Sequence, residues 1–415
     1  VCGIATLFHA MPKLSLLVLF CVFSQIVVSG LRFTFPRDTV LVTGGAGYIG
    51  GHAVLALLEA NHPVVIVDNL SRGFSETIET LKAEAVKRGN GDLVQFHDVD
   101  LGDRVALSAV FKKHRPWAVM HFAGVAYAGE SVDNPTMYYR NNTGNTLNVL
   151  DAMTEHGVEH IVFSSSCATY GSPQMFPVTE ETPQEPISPY GWSKFMAERE
   201  VKDWLVSSNM QKSTRPGKAV ILRYFNVIGA DPLSRVGERV YQKPGTYEYR
   251  KNVRLSSAMF DAAEGLLEKF TVAGGRYETP DGSAVRDYIH VTDLVNAHVA
   301  VLHRFGEEPS LRIYNVGSGK PYSVKEMIAA AKTVTSSDFH VLEGKARDGD
   351  PAQVFADNTK IRTELGWTPK FLNLTETLGH QWAFRKKIRS EKPLVVEMLD
   401  VSRLNLESVE VFDEY

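Results

Sequence analysis

The chain has 415 residues, 44% of them hydrophobic, which exceeds one small domain and allows two with a sizeable buried core. Its formal net charge of -4, with no long basic run, argues against nucleic acid as a partner; anionic ligands must be held by a few placed arginines or backbone N–H groups. Of the three cysteines, Cys2, Cys21 and Cys167, two lie at the extreme N-terminus, so no intrachain disulfide framework is available to the body of the chain.

Residues Leu14 to Val28 are nearly all apolar, follow Lys13 and lead into the small residues Ser29 and Gly30. A run of about 15 residues is short for a membrane span of roughly 20. A cleaved signal peptide over residues 1–30 is the first expectation and a short signal anchor the second; only an uncleaved anchor would tie the chain to a membrane. Met11 stands just before Lys13 and is a candidate start, which would make residues 1–10 a translation artefact.

From Thr39 the pattern reads strand, helix, strand, helix. Thr39–Thr43 is a β-branched apolar run, as a buried parallel strand requires. A glycine-rich turn and a helix through Ala53–Leu58 come next, then a second strand at Val64–Asp68. Further strands are predicted at Trp117–Phe122, His160–Ser164 and Ala219–Tyr224, with helices between them. This alternation predicts an α/β fold: a Rossmann-type doubly wound parallel sheet over 38–225, with a smaller C-terminal substrate domain over 226–388. Gly229–Lys251 reads as a long polar loop, and the acidic tail over 389–415 carries no assignment.

Gly44, Gly47 and Gly50 follow the first strand and open the first helix in G-x-x-G-x-x-G spacing. Glycine there permits a tight turn and lets the backbone approach a pyrophosphate, while the helix N-terminus offers N–H groups. Asp68 ends the second strand, where a carboxylate accepts the ribose hydroxyls and repels a 2′-phosphate, so NAD is expected over NADP. Arg72 is the counterargument, since it could pair with that phosphate.

Tyr190 and Lys194 form Tyr-x-x-x-Lys, which puts both side chains on one helix face. An ammonium beside a phenol stabilises the phenolate, which can then serve as a general base. Ser164, Ser165 and Ser166 end an apolar strand upstream, at the edge of the sheet where a cofactor cleft is expected.

With these motifs the chain resembles the UDP-sugar 4-epimerases of the extended short-chain dehydrogenase/reductase family, from about Val40 to Lys386. The segments carrying the resemblance are VTGGAGYIG (42–50), VDNLSRG (67–73), HFAGVAYAGES (121–131), SSSCATYG (164–171), SPYGWSK (188–194), LRYFNVIGADP (222–232), DGSAVRDYIHVTDL (281–294) and YNVGSGK (314–320). The resemblance implies that Tyr190 is the base, Lys194 its modulator and Ser166 a proton-sharing hydroxyl. It implies dinucleotide contacts at Tyr48, Ile49, Asp68, Asn69, Asp100 and Leu101. Phe122, Ala123, Gly124, Asn141 and Phe225 would line the nicotinamide side, together with Tyr190 and Lys194. Asn226, Arg286, Arg347 and Asp350 would hold the UDP moiety, and both arginines offer forks suited to phosphate. The implied reaction removes the 4-OH proton and the C4 hydride of a UDP-sugar, with NAD as acceptor, and returns them to the other face after the 4-keto sugar turns. NAD is regenerated, so tight retention of the cofactor is expected. A homodimer is expected, and no metal.

Two relatives of this fold are disfavoured. Dehydratases place Asp-Glu just after the catalytic hydroxyl residue, and decarboxylases an acid one residue later, whereas Cys167, Ala168 and Thr169 follow Ser166 here. A plain dehydrogenase would usually carry an extra nucleophile, and Cys167, the one candidate, reads as a packing residue. A non-catalytic UDP-sugar-binding protein would be expected to have lost Tyr190 or Lys194.

Within the family the pattern leans toward the branch acting on UDP-arabinose and UDP-xylose, with UDP-glucose/UDP-galactose epimerisation as the alternative. Ala126 stands where glucose-type enzymes usually carry Lys, Val354 where they usually carry Tyr, and Asn252–Ser256 replaces their Asn-Asn-Leu segment. The resemblance thereby makes Arg254 and Leu255 candidate substrate contacts, and Ala126, Arg254, Ala273 and Val354 match pocket-lining places of the glucose-type enzymes. Plant members of that branch are Golgi proteins, so the secretory pathway, with the Golgi lumen as its end point, is the expected location and the cytoplasm the alternative. Of the three glycosylation sequons, at Asn69, Asn141 and Asn373, only Asn373 lies away from expected cofactor contacts.

Overall fold

The computed structural model describes residues 39–210, 217–240, 253–272, 277–307, 309–344 and 351–391, and the backbone of Val409 and Glu410. The expected signal segment, Ala273, Arg347, Asp350, Asn252 and most of the tail lie outside the described residues.

The chain begins as the apolar periodicity dictates. β1 (Val40–Thr43), α1 (Tyr48–Glu59), β2 (Val64–Asp68), α2 (Ser75–Lys87), β3 (Val94–Asp98), α3 (Arg104–His114) and β4 (Ala118–His121) alternate, followed by α4 (Asn145–His156), β5 (His160–Ser166), α5 (Pro189–Met210) and β6 (Lys218–Tyr224). β1, β2, β4 and β6 are buried along their whole length, which is why they read as unbroken apolar runs. Beyond them come β7 (Asn226–Ile228), α6 (Leu255–Ala263), β8 (Phe270–Val272), β9 (Val285–His290), α7 (Val291–Leu302), β10 (Leu311–Val316), β11 (Pro321–Ser323), α8 (Val324–Thr335), β12 (Val341–Glu343), β13 (Gln353–Val354), α9 (Thr359–Leu365) and α10 (Leu374–Glu391).

The principal sheet has seven parallel strands in the order β10-β6-β5-β4-β1-β2-β3. Chain order reverses between β1 and β4, and a ligand crevice is expected outside the strand C-termini at that point. One face is covered by α1, α2 and α7, whose Val54, Leu57, Ile78, Leu81, Leu294 and Val301 share a core with Val42, Ile66 and Met120. The other face is covered by α3, α4 and α5 through Leu107, Val149, Met153, Ala197 and Val201, packed on Leu41, Val65, Val119 and Ile161.

The expected division at 225/226 does not separate the sheet from the rest of the chain. β10 lies far past that point, yet it pairs with β6 from Leu311↔Ala219 to Val316↔Tyr224, and α7 packs beside α1. The physical reason is the unpaired edge of β6, which a later apolar strand covers. The remaining elements build a separate core from Ile228, Phe260, Phe270, Met327 and Leu378. In this part β9 pairs in parallel with β7 and β13 and antiparallel with β11. α10 runs to Glu391, so the first residues of the expected tail are helical. Among the described residues, no helix is long and apolar enough to cross a membrane.

Candidate active site

One cleft opens at the C-terminal ends of β1, β2, β4 and β5. It is lined by Gly44, Gly47, Tyr48, Ile49 and Gly50 of the glycine turn, by Asp68 and Asn69, by Leu101, by Phe122–Gly124 and Asn141, by Ser166, Tyr190 and Lys194, and by Phe225, Asn226 and Arg254. The structure thus brings together most of the residues singled out from the sequence.

The turn is compressed in the way its glycines require. Gly44 has φ +72°, and a Cβ there would lie 2.7 Å from the Ala123 nitrogen; a Cβ on Gly50 would lie 2.1 Å from the Gly44 carbonyl oxygen. Gly47 caps α1 in extended geometry, with no side chain satisfying the first amides, and the cleft receives that helix end. At the tip of β2 the Asp68 carboxylate accepts from the Ala46 amide at 3.0 Å and the Leu70 amide at 2.9 Å. Burial raises its pKa, and those two bonds pull it back. Asn69 Nδ2 donates to Asp100 Oδ2 at 2.7 Å, so Asp100 supports the rim while standing outside the lining.

Arg72 is engaged elsewhere. Its Nη2 donates to both Glu130 oxygens, at 2.6 and 2.7 Å. That pairing offsets the charge of Arg72 and occupies its Nη2, while the Asp68 carboxylate would repel a ribose 2′-phosphate. An anion-receptive turn and an acceptor carboxylate at the strand end are together what NAD needs, so the residues present fit that cofactor.

Ser188 and Pro189 start α5 where the sequence suggests. Ser188 Oγ accepts from the Gly191 amide at 3.1 Å and proline occupies the first helical position. One face of this helix, carrying Tyr190, Lys194, Glu198, Val201 and Leu205, is buried against the sheet. Lys194 Nζ donates to the Ser164 carbonyl at 3.0 Å and stands 5.3 Å from the Phe163 ring centroid. Burial lowers its pKa to about 8, against the upward pull of Glu198. Tyr190 meets the Tyr138 ring edge-to-face at 6.2 Å. Ser166 Oγ accepts from the Ala168 amide at 3.1 Å.

Other expected residues fall differently. Asn226, Arg254 and Leu255 line a small pocket beside the main cleft, with Val227, Ile228 and Tyr288. Arg286 is 1% exposed on β9, with Nη1 donating to the Val285 carbonyl, and is not part of the cleft lining. Val354 is buried in an apolar cluster with Phe225 and Cys167, one layer behind the cleft wall. The Cys167 thiol is itself buried, and burial pushes its pKa up to about 12, as suits a packing residue rather than a nucleophile.

Three supports escaped the sequence reading. Glu198, four residues past Lys194, accepts from Arg223 Nε at 2.9 Å and Nη2 at 2.8 Å, and from Ser165 Oγ at 2.5 Å. Asn142 sits in a π-helical turn over Tyr139–Gly144, binds both backbone groups of Val125 and donates to Ser193 Oγ, so that the loop carrying Asn141 is pinned to α5. His121 bridges Thr43 at 2.6 Å and Thr146 at 3.0 Å; burial, then the Lys194 charge, lower its pKa to about 3 and keep it neutral. The i+4 step from Lys194 was the one local signal for Glu198. The other two residues carry none.

Fold and cleft define a dinucleotide-dependent enzyme with a tyrosine–lysine centre. The chain belongs to the NAD dependent epimerase/dehydratase family, whose model matches residues 40–317. It is 50% identical over 352 residues to a probable UDP-arabinose 4-epimerase 1 of Oryza sativa subsp. japonica, covering 85% of this chain and 80% of that protein. UDP-arabinose 4-epimerase 1 of Arabidopsis thaliana is 47% identical over 362 residues, 87% of this chain and 83% of its own length. Among solved structures, UDP-glucose 4-epimerase from Bifidobacterium longum in complex with NAD+ and UDP superposes with TM-score 0.75 at 36% identity, covering 84% of this chain and 98% of that one. UDP-glucose-4-epimerase from Stenotrophomonas maltophila, with bound NAD and formylated UDP-arabinopyranose, gives TM-score 0.76 at 34% identity, covering 85% and 99%.

Proposed function

We propose that the chain is an NAD-dependent UDP-sugar 4-epimerase that favours UDP-arabinose and UDP-xylose over UDP-glucose. The observation that carries the chemistry is the convergence of Tyr190, Lys194 and Ser166 in the one cleft that also holds the glycine turn and Asp68. Gly44, Gly47, Gly50, Tyr48, Ile49, Asp68 and Asn69 would hold NAD, with Asp100 and Leu101 at its rim and Phe122, Ala123, Gly124, Asn141 and Phe225 at its far end. When bound, NAD supplies reversible two-electron oxidation at the sugar C4.

The chain's own residues move the proton. Tyr190 Oη takes it from the sugar 4-hydroxyl and returns it after the 4-keto sugar has turned. Lys194, held to the Ser164 carbonyl, keeps a positive charge close to that phenol and favours its phenolate form. Ser166 shares the proton and orients the hydroxyl. Asn226, Arg254 and Leu255 would face the sugar side; Arg347, Asp350 and, from behind the cleft lining, Arg286 would complete the hold on UDP. Secretory placement and a homodimer belong to the same reading, checked by a reporter fused to residues 11–36 and by mass in solution.

The pentose preference rests on Arg254. Its Nη1 donates to Glu238 Oε1 at 2.7 Å, so the bulky guanidinium is fixed at the cleft wall. A hexose carries a CH₂OH group that sweeps this wall as the intermediate turns. The expected kcat/KM for UDP-arabinose or UDP-xylose exceeds that for UDP-glucose by roughly tenfold or more, the lower end of what one such group supplies. Separate incubations of purified protein with each sugar, read as epimer ratios over time, check this. Equal rates would remove the pentose reading, and no turnover of any UDP-sugar would remove the epimerase.

A further inference from the structure

A stack of alternating guanidinium groups and tyrosine rings runs along the cleft wall, and the proton transfer makes no use of it. Arg72, from the turn after β2, places Cζ 5.6 Å from the Tyr127 ring centroid. Arg254, from the entry to α6, places Cζ 5.8 Å from the same ring and 4.9 Å from the ring of Tyr48. All four residues line the cleft. The stack therefore links the strand-end side of the dinucleotide site, the glycine turn through Tyr48, and the sugar-side wall, segments far apart in the chain.

Each guanidinium is fixed from behind by a carboxylate that is itself fixed. The Glu130 side chain, 11% exposed, holds Arg72 and lies 2.7 Å from the Tyr138 hydroxyl. The Glu238 side chain, 4% exposed, holds Arg254 and also accepts from Ser257 Oγ and, at 3.2 Å, from Gln381 Nε2. Gln381 Oε1 accepts from the Gly229 amide at 3.3 Å, and the Gly229 carbonyl accepts from Tyr48 Oη at 2.7 Å. The path from Tyr48 through Gly229, Gln381, Glu238 and Arg254 closes back on the Tyr48 ring. Because each positive charge has its own carboxylate, the stack does not depend on a ligand's phosphate for its formation, and a cation over a ring face is attractive without one.

We propose that Tyr127 and Arg254 form a strap across the dinucleotide cleft that retains the cofactor from one turnover to the next. This rests on the NAD reading above. An epimerase gives the same cofactor back at the end of each cycle, so a closed wall costs it nothing in exchange. Tyr127 is suited to such a part because its loop is pinned independently of the ring: its amide donates to the Tyr138 hydroxyl at 3.0 Å, and its carbonyl lies 2.7 Å from the same oxygen.

The test measures NAD content, not activity. Purified protein is passed through gel filtration, held in cofactor-free buffer, and sampled over time for NAD released on denaturation. Tyr127→Ala is expected to lose NAD at least about tenfold faster than the unaltered chain, while Tyr127→Phe, which keeps the ring face, holds it as long as the unaltered chain does. Arg254→Met, which keeps the bulk and removes the charge, is expected to release NAD faster as well, and it serves if the alanine variant does not fold. Retention by Tyr127→Ala, or by Arg254→Met in its place, equal to that of the unaltered chain overturns the strap alone. Unaltered protein that emerges without NAD overturns the cofactor reading, and the strap with it.

Discussion

Tyr190→Phe is expected to lower turnover at least ~100-fold, in line with what a positioned general base contributes, with UDP-sugar binding largely intact. The substitution deletes one oxygen and keeps the ring, so the edge-to-face contact with Tyr138 and the burial of this face of α5 survive. Steady-state rates and isothermal binding of the UDP-sugar separate the two effects, and turnover near that of the unaltered enzyme would remove Tyr190 as the base. Lys194 adds a pH signature. Burial brings its pKa to about 8, so its charge is present below that value and lost as the pH rises through it. Its support for the phenolate fades over the same range, and the pH–rate profile should decline above about 8.

Arg223→Met is expected to destabilise the fold by roughly 3–5 kcal/mol, the cost of stranding a buried carboxylate. The Glu198 side chain is 0% exposed and that of Arg223 is 3% exposed. Burial by itself would raise the pKa of Glu198; the hydrogen bonds and charge of Arg223, with help from Ser165 and Lys202, overcome this and leave it lowered. A carboxylate with a depressed folded-state pKa contributes stability above its unfolded value, and that contribution is lost as the pH falls through the folded one. The deficit of the variant should therefore be full at pH 7 and shrink below the ordinary glutamate range, about 4. Denaturant unfolding at both pH values measures it. Adding Glu198→Leu to the variant should recover much of the loss, since no unpaired charge then remains.

The parts of this protein that its sequence determines by itself are those written in local spacing. The β-branched run of β1, the three glycines and the carboxylate of Asp68 are consecutive features of one strand–turn–helix–strand unit, so their order already states their geometry. Tyr190 and Lys194 share a face because a helix repeats every 3.6 residues, and Ser188–Pro189 marks where that helix starts. What only the tertiary structure decided are pairings between residues far apart in the chain. Arg72 reads as a candidate phosphate ligand until Glu130, 58 positions away, is seen to hold it. Glu238 and Arg254 are two charges among many until the fold closes their circuit through Gln381. β10 joins the sheet from beyond the expected boundary because the open edge of β6 accepts it, and Val354 sits behind Phe225 rather than in the cleft. A charge or an apolar residue carries no record of its partner in its own neighbourhood. Which groups it meets is set by how the layers stack, and periodicity does not encode that.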